Sequence, residues 1–103
     1  MPEEPRMLKH IFIGKTYPGK TEAELSAVVD TLRNLPVIVP WIRAFSVEKT
    51  LAWSESRAVV LIAEFDSRED WERYMHDPAH MALGEKIRDT IDFSCMSVVQ
   101  TNA

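Results

Sequence analysis

Eight residues, Ala58–Phe65, read AVVLIAEF, and they constrain this chain more than any other segment. The run is short and rich in β-branched residues, which suits a strand. It is also apolar at nearly every position, so its two faces, which alternate residue by residue, must both be covered. Helices can cover one face of the sheet that holds it. The other face needs a second partner.

The remaining elements fall in place around that strand. Leu8–Lys15 reads as a first strand, with Leu8, His10 and Phe12 on one face and Ile11 and Ile13 on the other. Tyr17-Pro18-Gly19-Lys20 is turn chemistry, and Thr21 with Glu24 forms a capping box that opens a helix. Leu25, Val28, Leu32 and Leu35 make one apolar stripe on it, and Pro36 is expected to end it. Ile42–Leu51 reads as a second strand, and 52–57 as a polar hairpin loop that carries Trp53. Ser67 and Asp70 signal a second helix through Trp71, Tyr74 and Met75; Pro78 interrupts it, and a further short helix runs from Met81 to Ile91. Phe93–Val99 is read as the last strand, with Cys95 buried and inert in its middle. The order is β-α-β-β-α-β, an α+β ferredoxin-like pattern: one antiparallel sheet with helices on one face. Residues 7–103 form the domain, and 1–6 are expected to be a flexible N-terminus. A bare apolar sheet face is unusual on a monomer, so a homodimer closed sheet to sheet is expected.

Composition excludes several function classes. With 46% apolar and 27% charged residues the chain has the make-up of a folded domain rather than a disordered one. Its net charge is −4 and it carries no basic run, so no nucleic-acid partner is expected. No apolar run is long enough to span a membrane, and MPEEPRM carries no apolar leader segment; a cytoplasmic location follows as the default expectation. A single cysteine rules out an internal disulfide. Three glycines leave no room for a dinucleotide or phosphate-loop motif.

The chemistry-bearing residues are few. His10, His76 and His80 are the histidines, and the broken helical segment Tyr74–His80 can turn a phenol and an imidazole toward one space, as an acid–base pair or an orienting contact. His10 shares its strand face with Leu8 and Phe12 and needs a partner there; a histidine so placed is more often a satisfied core residue than a catalyst, and ordinary core packing also accounts for Tyr74. His76 and His80 are four apart, but Pro78 between them spoils the regular helix that a zinc pair needs, so no metal is expected. Asp66, Glu69, Asp70 and Glu72 cluster at a helix start, where capping and the helix dipole explain them. Trp41, Trp53 and Trp71 are candidates for a pocket or an interface.

Lys9-His10-Ile11, the stretch Pro36 to Ile42, Glu64-Phe65-Asp66-Ser67, and Tyr74 through Pro78-Ala79-His80 occur together in an order that resembles the stress-responsive dimeric α/β-barrel (Dabb) family. The resemblance spans about Met7 to Val99. It is similar in particular to polyketide cyclases of the olivetolic acid cyclase type, whose key tyrosine and histidine fall on Tyr74 and His80, with a further pocket histidine on His10. The resemblance implies a cofactor-independent cyclase or lyase, with His80 as general base and Tyr74 as its partner, acting on a polyketide-like or aromatic substrate, or else a monooxygenase-like activity. It also implies a hydrophobic small-molecule pocket between sheet and helices, with Phe12, Val28 and Leu32 as walls. The chain departs from the cyclase pattern at Leu32, where a pocket tyrosine stands in the cyclases, at Val59, where they have another histidine, and at Asp77, which precedes Pro78 in place of histidine. The family also holds non-catalytic stress proteins, so a ligand-binding dimer without chemistry is the alternative.

Overall fold

The structure, a computed structural model, describes residues 7–51 and 57–102. Residues 52–56 of the expected hairpin loop, Trp53 among them, and the expected flexible N-terminus fall outside them. Four strands, β1 (Leu8–Lys15), β2 (Ala44–Lys49), β3 (Ala58–Phe65) and β4 (Ser97–Asn102), form one antiparallel sheet in the order β2-β3-β1-β4. Helices α1 (Glu22–Leu32), α2 (Leu35–Ile38), α3 (Arg68–Met75) and α4 (Pro78–Ile87) pack on one face of it. This is the ferredoxin-like arrangement that the element order predicts.

Local chemistry sets the joints. Tyr17-Pro18-Gly19-Lys20 closes through a Lys20 N–H to Tyr17 carbonyl bond, and only Gly19 accepts the positive φ of 87° that the turn requires. The capping box forms as read: the Glu24 N–H donates to Thr21 Oγ1 at 3.1 Å, and the Thr21 N–H to Glu24 Oε1 at 3.2 Å. Ser67 caps α3 by accepting from the Asp70 N–H.

Both prolines start helices where they were expected to stop them. Pro36 sits in the first turn of α2, and α1 has already ended at Leu32. Pro78 opens α4, which runs to Ile87 rather than from Met81 to Ile91. A proline lacks only an N–H that the first turn leaves unused, and its fixed φ is helical. Strand β2 is shorter than Ile42–Leu51. The largest correction concerns the C-terminal segment. Asp92 accepts from the Ser94 N–H and hydroxyl, which winds Phe93–Cys95 into a 3-10 turn and delays β4 to Ser97. Cys95 is therefore exposed on that turn instead of buried in a strand.

Pairing across the sheet decides what each face carries. His10 stands opposite Ala63 and Gln100, and Phe12 opposite Leu61 and Val98; these side chains face the helices. Ile11 stands between Ile62 and Val99, and Ile13 faces Val60, all on the other face. That outer face is uncovered here: Ile13 is 36% exposed and Val99 51%. The inner face closes over a core that includes Leu25, Val39, Val59, Phe65 and Ile91.

Candidate functional site

The helix break creates the site. On an unbroken helix, residues six apart lie about 9 Å apart along the axis and on different faces. Here α3 stops at Met75 and the extended backbone of Asp77 restarts the chain as α4. The Tyr74 and His80 rings consequently stack, with centroids 4.0 Å apart and planes inclined by 34°. Phe65 packs on the other side of Tyr74 at 5.1 Å, and His10 meets it edge-on at 5.7 Å. His76, at the break itself, is exposed to solvent and does not line the cavity.

The His10, Tyr74 and His80 rings wall the buried part of a cavity of about 230 Å³ between sheet and helices. His10 and Phe12 reach it from β1, Leu32 from α1, Tyr74 from α3, and His80, Leu83 and Gly84 from α4. Its exposed part is lined by Met81, Met96 and Val98, with Phe93. Of the six residues that the sequence singled out, His10, Tyr74, His80, Phe12 and Leu32 thus come together. Val28 does not. It is buried on α1 one turn earlier, where it faces Lys86, Ile87 and Thr90 of the helical layer rather than the cavity.

Burial tunes the polar members. His10 is 4% exposed, and burial, with the nearby His80 as a second cause, pushes its pKa down to about 4. Burial also lowers the His80 pKa. The Asp77 carboxylate opposes that shift, as does the Tyr74 main-chain carbonyl, which falls short of a well-formed hydrogen bond. Burial raises the Tyr74 phenol, which therefore stays protonated at neutral pH. Among the described residues, the side-chain polar atoms both sealed and unpartnered are His80 Nδ1 and Asp77 Oδ2. His10 Nε2, His80 Nε2 and the Tyr74 hydroxyl make no hydrogen bond to the described residues either, and all three side chains line the cavity.

Two neighbours of His10 had no assigned role at the site in the sequence. The Trp71 indole N–H donates to His10 Nδ1 at 3.2 Å, and Gln100 Nε2 lies 3.1 Å from the same atom. Trp71 stood out only as a candidate for a pocket or an interface; Gln100 becomes visible once the β1–β4 register sets it beside His10. Trp41 takes no part in the cavity. Its N–H donates to the Asp70 carbonyl and Arg73 lies 3.7 Å over its ring, so it ties α3 to the β2 side of the molecule.

Residues 8–100 match the model of the stress responsive A/B barrel domain. The chain belongs to that family. A dimeric protein of unknown function from Bacteroides fragilis with a ferredoxin-like fold is 25% identical, with a TM-score of 0.79 over 94% of this chain and 96% of that one. This domain is also similar in fold to the hydroxynitrile lyase of Passiflora edulis, at 12% identity and a TM-score of 0.78, covering 97% and 95% of the two chains. SnoaB, a cofactor-independent oxygenase from Streptomyces nogalater, resembles it at 11% identity and a TM-score of 0.73, covering 95% and 93%. No curated protein matches the sequence. Among the described residues of this Dabb domain, no helix is long and apolar enough to cross a membrane.

Proposed function

We propose that this Dabb domain binds a small apolar carbonyl compound in the cavity and moves a proton at the carbon beside the carbonyl, with His80 as the base. One observation carries the reading: two imidazoles and a phenol, each costly to bury, line one otherwise apolar cavity, and His10 Nε2, His80 Nε2 and the Tyr74 hydroxyl make no hydrogen bond to the described residues. A cavity of about 150 Å³ holds benzene, so this one admits a substituted ring or a short diketone. His80 is neutral at physiological pH because burial lowers its pKa, and a neutral imidazole is a proton acceptor. In the step proposed, His80 Nε2 takes the α-proton and the C–H electrons pass to the carbonyl oxygen as an enolate. The protonated Tyr74 hydroxyl donates to that oxygen. On a poly-β-keto chain the enolate carbon then attacks a second carbonyl, a C–C bond forms, and His80 returns its proton to the new alkoxide. The likeness in fold to a lyase and to a cofactor-independent oxygenase supports a catalytic use of the scaffold.

The test is enolisation of 1-phenylbutane-1,3-dione (benzoylacetone), followed by its absorbance. The wild type accelerates it, and His80→Ala lowers the rate by about 10²- to 10⁴-fold, the usual worth of a positioned general base. A wild type no faster than an equal concentration of imidazole overturns the reading. The alternative, a binding protein without chemistry, is favoured by the stacking of Tyr74 on His80 with no hydrogen bond between them among the described residues. It expects benzoylacetone to raise the melting temperature with no rate enhancement.

The same proposal includes a homodimer closed through Ile11, Ile13, Val60, Ile62 and Val99. The uncovered apolar face and the likeness to a dimeric protein support it. Light scattering gives twice the chain mass if it holds, and Ile13→Lys, which buries a charge in the interface, gives the monomer.

A further inference from the structure

We infer that Trp71 is a positioning residue that locks His10 as a neutral hydrogen-bond donor, its Nε2–H directed at the carbonyl or enolate oxygen of the ligand in the cavity. This rests on the proposed function and divides the labour between the two histidines.

An indole N–H can only donate. At 3.2 Å from Trp71 Nε1, His10 Nδ1 must therefore present its lone pair, and the single proton of the neutral ring resides on Nε2. Gln100 reinforces the choice. Facing an unprotonated Nδ1 at 3.1 Å, its amide is oriented with the NH2 group toward the ring. Two donors converge on one lone pair, so protonating Nδ1 would set an N–H against both of them in a buried place. Protonation at Nδ1 loses two hydrogen bonds at once, and burial disfavours the imidazolium as well. The other groups that face the ring are Ala63 from β3, the Tyr74 ring from α3 and His80 from α4; of these, His80 pushes the pKa of His10 further down.

His10 is consequently unsuited to be the base, since its basic nitrogen is occupied. Its other nitrogen has no partner among the described residues, and its ring lines the cavity. A neutral N–H donor aimed at the site of developing negative charge stabilises an enolate without needing to be charged itself. His80, whose Nε2 has no partner among the described residues, remains to take the proton. Trp71 itself stays outside the cavity and, with Gln100, lines the surface groove behind it. It acts through His10 and not on the ligand.

The experiment uses 15N-labelled full-length protein. The wild type should show His10 protonated at Nε2 and bare at Nδ1, no His10 titration between about pH 5 and 8, and a nitrogen–nitrogen coupling across the Trp71–His10 hydrogen bond. Trp71→Phe should mix the two ring tautomers and raise the His10 midpoint by about one unit, a tenfold change in proton affinity. Saturating benzoylacetone should move the His10 Nε2–H resonance of the wild type downfield, and move it less in Trp71→Phe. A wild-type His10 protonated at Nδ1, an absent coupling, or a ring unmoved by benzoylacetone overturns the inference. The coupling and tautomer are read on the wild type, so a Trp71→Phe that fails to fold leaves them decisive. A fixed tautomer that responds to benzoylacetone without any rate enhancement overturns the proposed proton transfer and leaves the donor role standing. Enhanced enolisation with an unmoved His10 does the reverse.

Discussion

The two ends of the cavity are built differently. At the inner end, Tyr74, His80 and His10 come from three elements and are braced by Phe65, Trp71 and Gln100. At the mouth stand Met81 and Met96, 58% and 47% exposed, with Gly84 and Phe93 between. Stacked rings and hydrogen bonds hold one geometry, whereas unbranched thioethers adapt to many. The contrast teaches that the ligand's reacting group is defined by the fold while its outer part is loosely specified. Chemistry and tolerance are placed at opposite ends of one space.

That contrast can be broken at several points. The largest effect on stability belongs at the inner end. Tyr74→Ala removes a ring that is 1% exposed and should cost about 3–5 kcal/mol in urea unfolding, whereas Tyr74→Phe keeps the ring and should cost far less. A Tyr74→Ala variant with wild-type stability would mean that the inner end is not rigid.

A smaller effect follows from protonation. His10 has a folded pKa of about 4 against an ordinary 6.5, so the unfolded chain binds more protons between those values. Stability should be fully present above about pH 6.5 and decline as the pH falls toward 4. Urea midpoints measured across that window, in the wild type and in His10→Phe, test the sign; the variant should decline less. The lowered His80 pKa acts in the same direction, so some slope should persist.

The smallest effects belong at the mouth, and there the sign should reverse. Gly84 lies inside α4, and a methyl group added to it would meet nothing within 4 Å. Gly84→Ala should therefore stabilise the fold by about 0.5–1 kcal/mol, as an alanine does in a helix interior. The added group projects where the cavity opens, so the same variant should bind benzoylacetone more weakly. Thermal shift with and without the diketone reads both. If binding is unchanged, Gly84 is no part of the passage.

Much of this was legible in the sequence, for identifiable reasons. The alternation of Leu8, His10 and Phe12 against Ile11 and Ile13 is a property of any extended chain, so the inner and outer faces of β1 could be read directly. The Thr21–Glu24 and Ser67–Asp70 caps are local and appeared as written. What depended on distant partners did not show. Gln100 reaches His10 only through a register that the Asp92 turn sets by delaying β4, and the same delay exposes Cys95. Val28 and Leu32 share an apolar stripe, yet only Leu32 reaches the cavity; α4 covers Val28, and no pattern within α1 reveals where α4 crosses. Tyr74 and His80 could be paired because Pro78 announced a break, while the angle of that break is a tertiary fact.

That break is also a matter of counting. The distance from Tyr74 to His80 is held by how many residues lie between them and where the backbone leaves the helical path, at His76 and Asp77. Side-chain replacements at those two positions leave the count untouched. Deleting a single residue there would instead swing the imidazole by about 100° around the axis of α4 and draw it about 1.5 Å along it, uncoupling two rings whose own identities had not changed. The pairing is thus written into the spacing of the chain, where a survey by substitution would pass over it and a survey by insertion and deletion would find it.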